Sequence, residues 1–406
     1  MLRSPSPPSA SDIPHTRWSV VLLAFGAGVV SGVYIGKVAP VLPAVRVDLA
    51  AGMVTAGWIS SLAYLFGASM GALFGHAGDR LGGRRMVLCG LALLALGGGL
   101  GATATSAAWL LASRAIESAG FMMVVVMGPR LILAATRPED RPAAFGLWGC
   151  YMPTGMALAT LAAPLLADNG GWRLLWSVGA VFALLWLLAV WRAVPADPPR
   201  PAASPGRGSR PRFASLFTRP GPVLLGAIFG VYAMQWNALM AWMPSFLIET
   251  KGTGPALAAV LTAAVIAANV PGNLVCGWLM RRGVSRPPLI VLALLAMALC
   301  GVGIFAPAVP DAARLPLALL FSLIGGLVPA ASLASVADHA PSPEQVSATN
   351  GVVMQGSNLG SVAGAPLLAA AVTAFGGWDQ AYGMMLVCGV LGSAAAWGLQ
   401  REERRR

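Results

Sequence analysis

Two ionisable side chains stand one helical turn apart inside an apolar stretch, LLASRAIESAG from Leu110 to Gly120: Arg114 and Glu117. Charge in hydrocarbon is costly, so ionisable residues at such depth face a cavity, pair with one another and mark ion or solute routes. Glu117 is the one acid deep in an apolar run, which makes it the candidate for a group that takes up and releases a proton. Burial favours its neutral form and Arg114 its charged form, and the sequence leaves that balance open. A third ionisable group, Lys37, lies in GVYIGKVAPVLP. If that run ends near Pro43, Lys37 sits roughly 9 Å below the surface, and Arg114, about seven residues into a run of opposite direction, reaches a similar level. Two cations then share one depth. Two plainer readings stand beside this one: a self-contained i,i+3 pair of Arg114 and Glu117, and a Lys37 that extends to the headgroups.

A second polar cluster interrupts YAMQWNALMAWMPSFLIE, Tyr232 to Glu249. Gln235, Trp236 and Asn237 read as the lining of a solute pocket, because two adjacent amides in hydrocarbon need partners and this tryptophan is far from an interfacial belt. Amides bonded across a helix interface are the alternative. Asn269, Asn273, Asn350, Gln355 and Asn358 are weaker instances of the same pattern. Methionine clusters such as Met122, Met123 and Met127 suit Cu(I) in principle, but His15, His76 and His339 all stand outside the middle of the runs, so no metal is expected. Cys89, Cys150, Cys276, Cys300 and Cys388 fall in apolar runs without paired spacing and read as packing thiols. There is no GxxxxGK[ST] loop, no HExxH and no Ser, His, Asp set. Neither an enzyme nor a cofactor is expected.

These residues must be positioned by membrane helices. Of 406 residues 57% are hydrophobic and 10% charged, and a hydrocarbon core needs about 20 apolar residues per helix. Runs of that length fall near 18–42, 53–77, 86–106, 108–135, 143–167, 172–193, 222–248, 256–280, 287–308, 314–338, 345–374 and 378–399. That predicts an all-α membrane protein of twelve transmembrane helices. The proline-rich basic segment 194–221 divides six runs from six and reads as a linker between two domains, 18–193 and 222–400. Residues 1–17, rich in proline and serine with no apolar core, read as a disordered tail and not a cleaved signal peptide, and 401–406 as a basic tail.

The net charge of +12 would suggest a nucleic-acid partner in a soluble protein. Here the basic residues sort by topology instead. With the amino terminus in the cytoplasm, only Arg46, Arg173, Lys251 and Arg314 fall in outside segments, so both termini are expected inside.

Between the second and third runs stands GHAGDRLGGRR, Gly75 to Arg85, too charged for hydrocarbon and expected to be a tight loop on an aqueous face. Gly75, Asp79, Arg80, Gly82, Arg84 and Arg85 resemble the loop between helices 2 and 3 of the major facilitator superfamily. Arg114 followed by Gly120 resembles that superfamily's fourth helix. An internal repeat agrees: Ala163-Pro164-Leu165-Leu166-Ala167 with Gly170-Gly171-Trp172 recurs as Ala365-Pro366-Leu367-Leu368-Ala369 with Gly376-Gly377-Trp378. Arg80-Leu81-Gly82 aligns with Arg281-Arg282-Gly283, but Met280 replaces Asp79, so the acid exists in one half only.

The resemblance implies two pseudo-symmetric six-helix domains, alternating access, a multi-pass protein of the bacterial inner membrane and a monomer in the lipid bilayer. It implies that helices 1 and 4 line the central cavity, where Lys37 and Arg114 would attract a small anionic or polar organic solute. It also implies a cytoplasmic latch at Gly75, Asp79, Arg80, Gly82, Arg84 and Arg85. GLWGCYMPTGMAL and AWMPSFLIE are similar to the branch of cyanate permeases and nitroimidazole-type transporters. Proton-driven drug exporters of the superfamily carry spaced glycines and then Gly-Pro in helix 5. Gly146 and Gly155 keep the spacing, but Ala159-Thr160 stands in place of Gly-Pro. The expectation is a secondary transporter of a small polar or anionic solute, coupled to protons through Glu117, with a multidrug exporter as the alternative. If the latch holds, Asp79→Asn folds but transports poorly in reconstituted vesicles, and unaltered uptake would remove the latch from the account.

Overall fold

The computed structural model describes residues 15–196, 215–341 and 345–405, apart from the side chains of 53–54, 72, 75–80, 142, 215, 217, 347 and 405. Most of the expected tail 1–17 and linker 194–221 therefore lies outside the described residues, as do the side chains of Gly75, Asp79 and Arg80. Among the described residues all regular structure is helical. In chain order we label α1 (Trp18–Gly36), α2 (Met53–Leu81), α3 (Gly83–Ala102), α4 (Ala107–Ala135), α5 (Arg141–Gly149) and α6 (Tyr151–Ala193). The later helices are α7 (Pro220–Lys251), α8 (Pro255–Ala267), α9 (Asn269–Arg281), α10 (Arg286–Phe305), α11 (Asp311–Gly325), α12 (Leu327–Ala334), α13 (Val346–Phe375) and α14 (Tyr382–Arg405).

Among the described residues ten segments are long and apolar enough to cross a membrane, against the twelve runs read from the sequence. The difference lies in two places. The fifth and sixth runs form one segment, Pro138–Ala193, which α6 bends at Gly171 with φ of 68°. The second run corresponds to α2, which is not among the ten.

The polar stretch 75–85 is not the loop expected of it. α2 continues through residue 81 and α3 starts at Gly83, so the connection is Gly82 alone, with φ 95° and ψ 151°. Helix keeps every backbone group satisfied up to the membrane boundary, and only glycine adopts that φ without a Cβ penalty. Of the expected basic tail 401–406, residues 401–405 continue a helix, and Arg406 lies outside the described residues. Helix α14 runs to Arg405, and Arg401 lies over the Trp397 ring at 3.3 Å.

Glycine sets the helix contacts. α1 lies along α6, and α7 along α13. A Cβ on Gly155 of α6 would overlap the Val29 carbonyl of α1, and one on Gly360 of α13 the Gly230 carbonyl of α7. Lipid offers no hydrophobic drive for helix association, so this close approach supplies van der Waals contact that larger side chains forbid. The two chain halves meet where α2 packs on α13 and α6 on α8.

The repeated Gly-Gly-Trp motif closes each half in the same way. Trp172 Nε1 donates to Asp48 at 3.0 Å, where the chain leaves α1 through the short helix Leu42–Asp48. Trp378 Nε1 donates to Glu249 near the end of α7, also at 3.0 Å. Arg173 adds a second bond to Asp48 at 2.7 Å.

Gly360→Val, by forcing α7 and α13 apart, is expected to cost roughly 1–3 kcal/mol or more. Thermal unfolding in detergent measures it, with Gly277→Ala as the near-neutral control because open space surrounds Gly277.

Candidate functional site

The charged residues singled out in the first half assemble into one closed cluster. α4 carries Arg114 and Glu117 a turn apart, and Lys37 caps the end of α1. Lys37 Nζ meets Glu117 Oε1 at 2.8 Å, and Arg114 Nη1 donates to Glu117 Oε2. Arg114 also donates to two backbone carbonyls, Tyr34 at 2.9 Å and Ile59 at 3.1 Å, tying α4 to α1 and α2. Lys37 stacks its ammonium over Tyr34 at 3.9 Å and Trp176 at 4.5 Å. All three side chains are at most 1% exposed, so Lys37 turns inward and does not reach the surface.

The glycine run of α3 makes this burial possible. A Cβ on Gly97 would lie 2.6 Å from Glu117 Cγ, one on Gly98 2.6 Å from Tyr34 Oη, and one on Gly101 would overlap the Trp176 ring. With all three groups ionised the cluster carries one excess positive charge. Arg114 Nη2 and Tyr34 Oη have no hydrogen-bond partner among the described residues.

Two cavities lie between the halves, and neither touches this cluster. The larger, about 750 Å³ counted to its mouth, is walled by rings that include Phe121, Trp148, Tyr151, Tyr232 and Trp236, with Asn269 and Asn358 among its polar groups. The smaller lies toward the Asp48 end of the helices, bordered by Val38 and Ala39 after α1, by Ser60 and Ser61 of α2 and by Pro244 of α7. Both are bordered by Tyr64, Asn237 and Ser361. These three form the partition: Tyr64 Oη of α2 donates to Asn237 Oδ1 of α7 at 3.1 Å, and Asn237 Nδ2 donates to Ser361 Oγ of α13 at 3.0 Å. Among the described residues no Asp, Glu, Lys, Arg or His borders either cavity.

The second polar cluster splits three ways. Trp236 presents its ring to the larger cavity while its Nε1 bonds Ser322 Oγ at 3.1 Å. Asn237 stands in the partition. Gln235 is fully buried, borders neither cavity and has no amide partner among the described residues. Asn269 donates to Tyr232 Oη at 3.1 Å and to the Ser322 carbonyl at 2.9 Å, serving the backbone just before α11 gives way to α12 at Gly326. Gln355 crosses between halves to the Ala68 carbonyl at 2.8 Å.

Of the latch residues, Gly82 forms the one-residue turn and Arg84 donates to the Trp191 carbonyl at the end of α6. Arg85 follows it in the first turn of α3. Sequence reasoning passed over Tyr64, Trp148, Tyr151 and Ser361, which read as ordinary membrane-helix residues. Tyr64 and Ser361 lie where α2 and α13 pack together, and Trp148 and Tyr151 flank the joint between α5 and α6. Among the described residues no three of His, Cys, Asp and Glu gather to hold a metal.

A family description, Major Facilitator Superfamily, matches residues 20–342. Among curated proteins, an arabinose-proton symporter of Escherichia coli is 27% identical over 46% of this chain and 39% of its own length. A puromycin resistance protein of Streptomyces alboniger is 31% identical over 45% of this chain and 36% of its own. An uncharacterized transporter of Escherichia coli is 32% identical over 43% of each. The chain thus matches less than half the length of each of these relatives. With ten membrane-length apolar segments and a family match over most of its residues, the chain is a multi-pass membrane protein and belongs to the Major Facilitator Superfamily.

Proposed function

We propose that the protein is a secondary active transporter of a small polar organic solute, working by alternating access between its halves and coupled to protons through Glu117. The observation that carries this reading is the partitioned space between the halves, contributed by both and lying one turn along α4 from the buried acid: Glu117 and Phe121 are i and i+4 on that helix, and Phe121 borders the larger cavity. Residues 18–193 and 222–400 are the two rocking units, and Trp236 and Asn237 contact the solute. Lys37 and Arg114 serve Glu117, leaving the solute an uncharged environment. That favours a polar solute over an anion.

Coupling follows from electrostatics. A proton on Glu117 removes the carboxylate that Lys37 and Arg114 share, and an unpaired charge in a dry interior costs about 3–5 kcal/mol. The strain is relieved if the helices part and water enters. Arg114 grips the Ile59 carbonyl, and Ser118 of α4 donates to the Ala63 carbonyl at 2.8 Å. Both grips lie within a turn or so of Tyr64 on α2, so a shift of α4 is felt at the partition. A relative named as a proton symporter supports the same coupling. A proton-coupled exporter of lipophilic compounds is the second reading, favoured by the aromatic wall and by the likeness to a puromycin resistance protein.

Liposomes holding the purified protein test both. Glu117→Gln is expected to abolish gradient-driven flux while solute counterflow persists; loss of neither removes Glu117 from the coupling. Because Glu117→Gln strands two buried cations, Lys37→Met with Glu117→Gln is the companion, keeping the cluster at one excess positive charge. It is expected to unfold within a few degrees of wild type and to remain uncoupled. Flux that runs only outward against an inward proton gradient selects the exporter.

A further inference from the structure

Resting on the reading of the larger cavity as a solute site, we propose that its ligand is a flat, uncharged ring bearing an adjacent hydrogen-bond donor and acceptor, and that this ligand displaces Tyr64 from Asn237.

Three features of the cavity lead to that class. The first is charge. Among the described residues no Asp, Glu, Lys, Arg or His borders the space, so a charged ligand would shed its hydration without a counterion. The aromatic wall could in principle hold a cation over its rings, but the buried cluster next to it on α4 carries one excess positive charge, which opposes a cation. An anion would feel only that field and find no direct partner, because Lys37 and Arg114 lie on Glu117 and neither borders the cavity.

The second feature is shape. Trp148 and Tyr151 meet at 4.5 Å with 31° between their planes, and Tyr232 and Trp236 stack at 6.5 Å with 25°. Such faces favour offset stacking on another planar ring.

The third is hydrogen bonding. Asn237 offers Oδ1 to the Tyr64 hydroxyl and Nδ2 to Ser361 Oγ and the Ala233 carbonyl. A ligand amide, or an N–H beside a C=O in a ring, presents the complementary pair. It can take the place of Tyr64 on Oδ1 and that of Ser361 on Nδ2, whose other hydrogen stays on the Ala233 carbonyl, leaving no group of Asn237 without a partner. Trp236, Asn269 and Asn358 already donate to Ser322, Tyr232 and the Met354 carbonyl, which leaves fewer donors than a polyol with a hydroxyl on every carbon would need. Each unmatched hydroxyl would be left desolvated and unpaired. Displacing Tyr64 also opens the partition, so occupancy and opening become one event.

Equilibrium binding to the full chain in detergent tests this with three probes of one size: benzamide, benzoate and benzylammonium. The expected result is saturable benzamide binding, with the two ions at least about tenfold weaker, and a loss of at least about tenfold for benzamide in Asn237→Ala. Tyr64→Phe, which lacks the hydroxyl to be displaced, binds benzamide at least as tightly as wild type. The proposal is overturned by an ion that binds as well as benzamide, by no saturable binding of any probe to normally unfolding protein, or by unchanged benzamide affinity in Asn237→Ala. Benzamide binding without any proton-driven flux counts against the transport reading alone. Gradient-driven uptake of a polyol such as arabinose with no benzamide binding counts against the ring alone.

Discussion

Glu117 is held by two cations in a place from which water is excluded, and most of the first half is arranged around that fact. The carboxylate accepts from Lys37 of α1 and from Arg114 of its own helix, and Arg114 Nε and Nη1 also bond the carbonyls of Ile59 and Tyr34. Three helices are thereby fastened to one ion. The glycines of α3 and the rings of Tyr34 and Trp176 close over it, because any looser packing would expose the charges to lipid and any tighter would not contain them. An arrangement of this kind contributes little net stability, since desolvation offsets the Coulomb attraction. Its consequence is electrostatic: loss of the carboxylate charge would leave two cations buried without a counterion.

The second half answers with neutral chemistry. Where the first half buries an ion cluster, the second buries Trp236, Ser322, Tyr232 and Asn269 in a run of hydrogen bonds that ends on the backbone break at Gly326. The halves share helix pairings, glycine seams and indole-to-carboxylate closures, yet differ in what fills them. The charged groups are thus gathered on one side of the molecule, while the described lining of the cavities carries no Asp, Glu, Lys, Arg or His.

How much of this was legible in the sequence depended on whether the signal was local. Arg114, Glu117 and Lys37 announced themselves because charge in hydrocarbon is rare, and depth counting placed two of them on one level before any coordinates. What counting did not reveal is that Glu117 accepts from both, which depends on the azimuth of α1 against α4. Gln235, Trp236 and Asn237 are neighbours in sequence but point three ways on a helix, and only two reach the cavities. The repeat was readable from Gly-Gly-Trp; that its tryptophans bond Asp48 and Glu249 was not, since those acids lie far away in the chain. The stretch 75–85 misled because its charges describe an aqueous boundary, which a helix end satisfies as well as a loop does.

The one-residue joint at Gly82 has a mechanical meaning. Two helices linked by a single peptide unit can swivel about it, but neither can slide along the other by more than the few ångströms that one residue spans. Axial travel between α2 and α3 is removed as a degree of freedom, and rotation remains. Any movement that reaches the partition through Tyr64 must therefore arrive as a tilt of α2 about that pivot, its amplitude growing with distance from Gly82.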